Sequence, residues 1–150
     1  MKVVVQRCLR ANCIIDGNVH SSIGRGLMLL VGFTNNDNLE IIKKMSKKII
    51  NLRIFEDENN KMNKSIIDIG GEILSISQFT LYANPYNGNR PSFTEALNFS
   101  DANNLYKEFN EVLRSENNIK VEEGIFGADM KIDFVNDGPV TIIIDSMNFK

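Results

Sequence analysis

The sequence is poor in the residues that build metal sites and disulfide frameworks. Its 150 residues contain one histidine, two cysteines and no tryptophan. Cys8 and Cys13 lack the spacing of metal ligands, and His20 alone leaves little to complete a zinc site. Because five positions separate the cysteines in a strand-like stretch, they are expected to face opposite sides and to form no disulfide. The sequence predicts no metal, no cofactor and two buried or half-buried thiols in a reducing compartment.

Long apolar runs are also missing. No run reaches the length of a membrane span. The N-terminal stretch is no secretory signal, because Gln6 and Arg7 interrupt it and no small-residue cleavage site follows. We therefore expect a soluble, cytoplasmic protein without a membrane partner. The net charge of −2 argues against non-specific binding along a nucleic acid, and DNA is not an expected partner. Binding of one end of an RNA is compatible with this charge.

The chain has no linker-like segment, internal repeat or low-complexity tail. It is 43% hydrophobic and 24% charged, an ordinary composition for a globular protein. A length of 150 residues suits one domain with a real core. The prediction is a single compact domain over residues 1–150.

Apolar periodicity predicts strands at both ends of the chain and two helices between them. Residues 1–33 are typical of strands with a turn at Asp16-Gly17. Asp37 and Ser100 are the expected N-caps of two amphipathic helices. Their apolar stripes are Leu39, Ile42, Met45 and Ile49 in the first, and Leu105, Tyr106, Phe109, Val112 and Leu113 in the second. The expected fold class is α+β, with mostly antiparallel, barrel-like sheets covered by two long helices.

The first helix carries a row of lysines opposite its apolar stripe. Lys43, Lys44, Lys47 and Lys48 follow the polar face. A patch for an RNA backbone is one interpretation. A solvated helix face is the interpretation we favour from the sequence, since most charge runs on amphipathic helices are of this kind.

Familiar catalytic motifs are missing too. The chain has no phosphate loop, dinucleotide fingerprint or nucleophile elbow. Two stretches remain as candidates. The first is SQFTL, residues 77–81, where a strand is expected to end at Phe79 beside a turn-rich loop; such ends free main-chain N–H groups for an oxyanion. The second is NDGPVT, residues 136–141, where Gly138-Pro139 opens a strand. From local chemistry alone, a simple turn is the interpretation we favour.

Taken together, SQFTL, GIFGADM (residues 124–130) and NDGPVT closely resemble the D-aminoacyl-tRNA deacylase family. The resemblance runs from MKVVVQRCLRANC to DGPVTIIIDS and so covers nearly the whole chain. It implies hydrolysis of the ester between a D-amino acid and the 3′ end of tRNA, a form of chiral proofreading. Glycyl-tRNA, including glycine mischarged on tRNA(Ala), is an implied further substrate.

The resemblance also implies a homodimer with its active site at the subunit interface. The bond between Gly138 and Pro139 is then cis, and the carbonyls of this pair enter the partner's pocket, capture the α-amino group and exclude L side chains. Arg7 is expected to brace this loop, with an ordinary surface arginine as the alternative. Phe126 and Met130 are expected to line the pocket, with core packing as the alternative.

The mechanism is expected to depend on the main chain and on the substrate. The candidate catalytic residues are Ser77, Gln78, Phe79 and Thr80. A threonine hydroxyl without an adjacent base is a poor nucleophile. The hypothesis is that the 2′-OH of the tRNA assists the attack while main-chain N–H groups around Phe79 and Thr80 hold the oxyanion.

Two other functions fit the same residues. One is a non-catalytic module that binds an RNA end or a nucleotide. The other is a hydrolase of D-amino acid esters that needs no tRNA. Release of product separates the first from an enzyme, and activity on simple esters without a vicinal hydroxyl separates the second.

Overall fold

The predicted α+β fold with two helices is confirmed. The computed structural model describes the backbone of residues 1–150 and the side chains of residues 1–116 and 118–150. Two 3-10 helices span Phe79–Tyr82 and Ser146–Asn148. The remaining elements, in chain order, are β1 Lys2–Ile15, β2 Asn18–Ile23, β3 Gly26–Gly32, α1 Leu39–Asn51, β4 Phe55–Glu56, β5 Met62–Lys64, β6 Glu72–Ser77, α2 Phe99–Asn117, β7 Val121–Glu123 and β8 Lys131–Asp145.

Strand β1 organises a six-stranded, barrel-like sheet. One of its edges pairs antiparallel with β3 and then with β2, and its other edge pairs antiparallel with β8. Strands β3, β6 and β7 are parallel neighbours, so the sheet is mixed. The polar segment between α1 and β6 forms the small β4–β5 hairpin.

The main core lies between this sheet and the two helices. Strand β3 is buried along almost its whole length, as its continuous apolar run predicts. Both predicted helical stripes are largely buried, with Leu39 as an exception at 40% exposed. Among the residues that the structure describes, no helix combines the length and apolarity needed to cross a membrane.

Both predicted N-caps are wrong by one or two positions. The side chain of Asn38 caps α1, accepting a hydrogen bond from the Ile41 N–H at 3.0 Å. Asp37 instead accepts from the Thr34 N–H at 2.8 Å, so it closes the preceding turn. Asn98 caps α2 through the Asp101 N–H at 3.0 Å, so this helix begins before Ser100. Asn and Asp compete for such sites, and the path of the incoming chain decides between them.

The prediction that Cys8 and Cys13 face opposite sides is also wrong. Both thiols are free and buried in one small core cluster beside the main one. The pairing of β1 with β8 is irregular between Cys8 and Ala11, where Leu9 and Arg10 are both exposed. This bulge inserts an extra residue and so reverses the alternation of the strand.

Candidate active site

A concave site lies where β3 and β6 end against the start of α2. Its volume is about 690 Å³, within the range of small-molecule sites. The segment between β7 and β8 closes one side. Five of the predicted site residues line this cavity, namely Ser77, Gln78, Phe79, Phe126 and Met130.

The strand that carries SQFTL ends earlier than its sequence pattern predicts. Strand β6 ends at Ser77, and a 3-10 helix starts at Phe79. The Gln78 N–H donates to the carbonyl of Val31 at 2.7 Å, which continues the pairing with β3. The first N–H groups of a short helix have no partner within it. The main-chain N–H groups of Phe79 and Thr80, at the start of this helix, are therefore available to donate hydrogen bonds beside the cavity.

Thr80 stands apart from the other predicted catalytic side chains. It is exposed and does not line the cavity. Its hydroxyl accepts a hydrogen bond from the Gln78 side-chain amide at 2.5 Å. An amide donor cannot remove a proton from a hydroxyl, so this contact orients Thr80 without activating it.

Aromatic rings enclose the cavity, and sequence reasoning missed two of them. Phe79 meets Phe93 edge-on at 5.2 Å between ring centroids, and Phe99 meets Phe126 edge-on at 4.9 Å. Phe93 lies in a polar, turn-rich segment, and Phe99, the first residue of α2, directly follows that segment. That setting is the available signal, because a large aromatic side chain amid turn residues has no local core to fill.

Gly127 lets the ring of Phe99 approach the main chain. Its φ is +82°, and a Cβ at this position would lie 2.6 Å from Cε2 of Phe99. The neighbouring Phe126 and Met130 are partly buried and also pack against core residues. Both interpretations of these two side chains, pocket lining and core packing, therefore describe their positions.

The cavity contains little that can titrate. Asp129 is the one ionisable side chain among the described residues that line it. Burial raises the pKa of the nearby Tyr106 to about 12, so its hydroxyl stays protonated and donates to the Ser75 carbonyl at 2.6 Å. Among the side chains described, no group of three or more His, Cys, Asp or Glu residues could hold a metal ion.

Gly138 and Pro139 lie in a second group, away from this cavity. Their peptide bond is cis, and both residues are exposed. They do not line the cavity of their own chain, and neither does Arg7. The Gly-Pro pair and the SQFTL stretch therefore do not share one cavity within the described chain.

Arg7 is not an ordinary surface arginine. It is 6% exposed, and its Nε lies 3.3 Å from the Asp137 carbonyl and 3.2 Å from Oδ2 of the same residue. Its Nη1 donates to the carbonyl of Ile54 at 2.8 Å. A Cβ added at Gly138 would lie 3.1 Å from Nη2. The guanidinium therefore holds the segment before the Gly-Pro pair against the chain that follows α1.

Comparison with known proteins identifies the family of the chain. Residues 4–145 match the model of the family described as D-Tyr-tRNA(Tyr) deacylase. The chain belongs to this family. Membership confirms the family predicted from the motifs and, with it, the prediction of an ester-hydrolysing enzyme of the D-aminoacyl-tRNA deacylase class.

Relatives of this family from Clostridium botulinum are similar over nearly the full chain. The D-aminoacyl-tRNA deacylase of strain Eklund 17B is 55% identical over 146 residues, and that of strain 657 is 53% identical. In each case the match covers 97% of both chains.

Two solved structures share the fold. One is described as c-Myc DNA Unwinding Element Binding Protein, with a TM-score of 0.90, 42% identity and coverage of 97% of this chain and 98% of that chain. The other is described as a probable eukaryotic D-amino acid tRNA deacylase, with a TM-score of 0.82, 18% identity and coverage of 95% and 97%. At 18% identity the second likeness speaks for the fold alone.

Proposed function

We propose that the protein hydrolyses the ester bond of D-aminoacyl-tRNA and releases a D-amino acid and tRNA. The observation that carries the proposal is that Ser77, Gln78 and Phe79 line a cavity of suitable size in a chain of this family. The cavity is lined mainly by apolar side chains, and main-chain donors stand at the end of β6. This combination suits an uncharged ester better than a phosphate or a metal-bound substrate.

Catalysis in this proposal depends on positioning and on oxyanion stabilisation. Water attacks the carbonyl carbon of the ester, and the main-chain N–H groups of Phe79 and Thr80 hold the negative oxygen that forms. The 2′-OH of the terminal ribose helps to activate the water, and the 3′ oxygen leaves with a proton. Ser77 and Gln78 keep this turn in place. The described partner of the Thr80 hydroxyl is the Gln78 amide, which is no base, and this supports the route over a covalent one.

Selection for the D-amino acid is assigned to main-chain carbonyls. Gly138 and Pro139 of the partner subunit would enter the cavity, with their carbonyl oxygens accepting hydrogen bonds from the α-amino group. An L side chain would then meet the main chain, whereas a D side chain would point away. Glycine has no side chain to exclude, so glycyl-tRNA, including glycine on tRNA(Ala), would be cleaved as well.

A homodimer is required by this arrangement, and the surface of β8 supports it. On β8, Val135 and Ile143 are 38% and 72% exposed. Met147, in the 3-10 helix that follows, is 83% exposed, and Leu9 on the neighbouring strand β1 is 53% exposed. Exposed large apolar side chains on neighbouring elements are typical of an interface. The Gly-Pro pair lies on the same strand as Val135 and Ile143, so a dimer through β8 would bring it towards the partner.

The test is paired deacylation of D-tyrosyl-tRNA and L-tyrosyl-tRNA by the purified protein at equal concentrations. We expect rapid loss of the D ester while the L ester persists. Loss of both esters would contradict the selection by Gly138 and Pro139. Binding of tRNA without loss of either ester would identify a non-catalytic module. Equal activity on D-tyrosine ethyl ester, which lacks a vicinal hydroxyl, would identify a hydrolase that needs no tRNA.

A further inference from the structure

A second concave site, which shares no lining residue with the first, lies at the C-terminal end of α1. It is a groove of about 680 Å³ between this end of the helix, the residues that follow it and the last residues of the chain. Five basic side chains and no acidic side chain line it. They are Lys44, Lys47, Lys48, Arg53 and Lys150.

Most of this positive charge is not neutralised. Among the described side chains, Lys47, Lys48, Arg53 and Lys150 have no acidic group within ion-pair distance. Lys44 reaches Glu40 at 3.7 Å, but both side chains are largely exposed, and such a pair contributes little and is easily exchanged. A protein with a net charge of −2 thus concentrates positive charge in one groove.

The guanidinium of Arg53 is already oriented. Its Nε donates to the carbonyl of Asn63 at 3.0 Å and its Nη2 to the side-chain oxygen of the same residue at 2.9 Å. Both partners are neutral, so they fix the plane of the guanidinium and leave its charge available. A fixed, planar guanidinium is well suited to bidentate binding of a phosphate group.

Ordinary helix electrostatics explains only part of the cluster. Cations stabilise the C-terminal end of a helix, and the effect is confined to the last turn. Lys48 lies in the last turn of α1, but Lys44 precedes it and Arg53 follows the helix. Like charges that converge on one groove repel one another, so a bound anion would stabilise the arrangement.

Helix α1 connects this groove to the candidate active site. Its N-terminal end follows Phe33, which lines the cavity, by a short turn. The groove residues lie from the middle of α1 onward, and thirteen helical residues at 1.5 Å each make this helix roughly 20 Å long. That is the order of the distance between the 3′ end of a tRNA and the phosphates of its base-paired stem.

We propose that this basic groove binds phosphates of the tRNA stem while the aminoacyl ester occupies the cavity. The inference rests on the proposed function and adds a second contact region for the same substrate. It reverses the preference for a solvated helix face that the lysine pattern alone suggests. Contacts of this kind raise affinity, depend on salt and carry no information about the amino acid.

The test compares two double variants of equal charge. Lys47→Gln/Lys48→Gln removes two groove cations, and Lys43→Gln/Lys107→Gln removes two exposed helix lysines outside the groove. Glutamine and lysine have similar helix propensities, so both variants should fold. Matching thermal unfolding curves verify this. The measurement is the Kd for uncharged tRNA between 50 and 200 mM KCl, together with kcat and KM for D-tyrosyl-tRNA.

We expect the groove variant to bind tRNA about tenfold more weakly at 50 mM KCl, with a smaller salt slope, because two phosphate contacts are lost. Its KM for D-tyrosyl-tRNA should rise in parallel while kcat is retained. Its activity on 3′-O-D-tyrosyl-adenosine, which has no stem, should be unchanged. The control variant should stay within about twofold of the unmodified protein in every measurement.

Three results would overturn the inference. The first is unchanged binding of tRNA by the groove variant, and the second is an equal loss in both double variants. The third is binding of duplex DNA as tight as that of tRNA through the same two lysines. Because binding is measured with uncharged tRNA, a protein that fails to deacylate still gives a result. Failure of the proposed function is therefore distinguishable from failure of the groove.

Discussion

Thr80 is the side chain whose chemical type most suggests a nucleophile, and its surroundings argue against that role. Its hydroxyl contacts only the Gln78 amide among the described side chains and lies outside the cavity lining. We expect Thr80→Ala to retain deacylation within about tenfold, because the main-chain N–H groups remain in place. The measurement is the single-turnover rate with D-tyrosyl-tRNA. A loss of several decades with unchanged tRNA binding, restored by Thr80→Ser, would indicate covalent catalysis.

The buried thiol of Cys8 should make stability fall at alkaline pH. Burial raises its pKa from 9.0 to about 11, and the nearby Asp137 adds to the shift. The unfolded chain loses this proton near pH 9, whereas the folded chain keeps it to about pH 11. Stability is therefore complete below pH 9 and declines between pH 9 and 11, by on the order of 2 kcal/mol.

Urea unfolding at pH 8 and pH 10.5 measures this decline. The Cys8→Ala variant lacks the titrating thiol, so its free energy of unfolding should fall less between the two pH values. The other ionisable groups are the same in both proteins, so their contributions cancel in the comparison. Parallel behaviour of the two proteins would show that the thiol ionises in the folded state as easily as in the unfolded one.

The site residues that belong to a sequence motif could be predicted, and the others could not. Ser77, Gln78, Phe79, Phe126 and Met130 were named from their motifs, and the structure places all five around one cavity. Phe93 and Phe99 were missed because their contacts with Phe79 and Phe126 join segments that are distant in sequence or separated by a helix. Local sequence patterns do not indicate contacts between residues that are distant in sequence.

The turn that carries Gly127 controls the shape of the cavity. Replacement of Gly127 by alanine would place a Cβ against the ring of Phe99 in a backbone conformation with φ of +82°. We expect the ring to move, the kcat/KM for D-tyrosyl-tRNA to fall at least tenfold, and stability to fall by roughly 1–2 kcal/mol. Steady-state kinetics and urea unfolding measure the two effects.

Gly17 supplies the matched control for this prediction. Its φ of +77° is nearly the same, but nothing lies within 4 Å of an added Cβ. Gly17→Ala should therefore lower stability by a similar backbone cost and leave kcat/KM unchanged. Equal activity losses in both variants would show that strain alone, and not the contact with Phe99, affects the site.

The order and type of the elements followed from sequence periodicity, while their ends did not. The stripes of α1 and α2 and the buried run of β3 identify those elements, because burial imposes its period on the residues. The bulge between Cys8 and Ala11 and the caps at Asn38 and Asn98 depend on how neighbouring segments meet. The position of the bulge and of the caps therefore cannot be predicted from the local sequence pattern.

The activity of the whole molecule should depend on its assembly into a dimer. Ile143 is 72% exposed on β8. A charge at this position would be solvated in the monomer and costly in a dimer interface. We expect Ile143→Glu to be a folded monomer that has lost most of its deacylase activity, because no partner subunit supplies Gly138 and Pro139.

Analytical ultracentrifugation and D-tyrosyl-tRNA kinetics test this expectation together. Met62→Glu is the matched control, since Met62 is 55% exposed but lies on the β4–β5 hairpin. That variant should remain dimeric and active. A monomeric Ile143→Glu variant with full activity and full D-selectivity would contradict a site shared between subunits.

The anchoring of the Gly-Pro segment by Arg7 has a consequence for how the protein tolerates change over evolutionary time. In the proposed site, peptide groups perform both the chemistry and the discrimination, and every amino acid supplies the same peptide group. In this proposal, a substitution at these peptide groups lowers activity by changing the conformation of the main chain. In saturation mutagenesis, substitutions at positions such as Gly138, Pro139 and Arg7 should cause the largest losses of activity. Substitutions at Thr80 should cause small losses. Selection on such a protein acts on the conformation of the main chain. The side chains that maintain this conformation are therefore the ones we expect to be constrained.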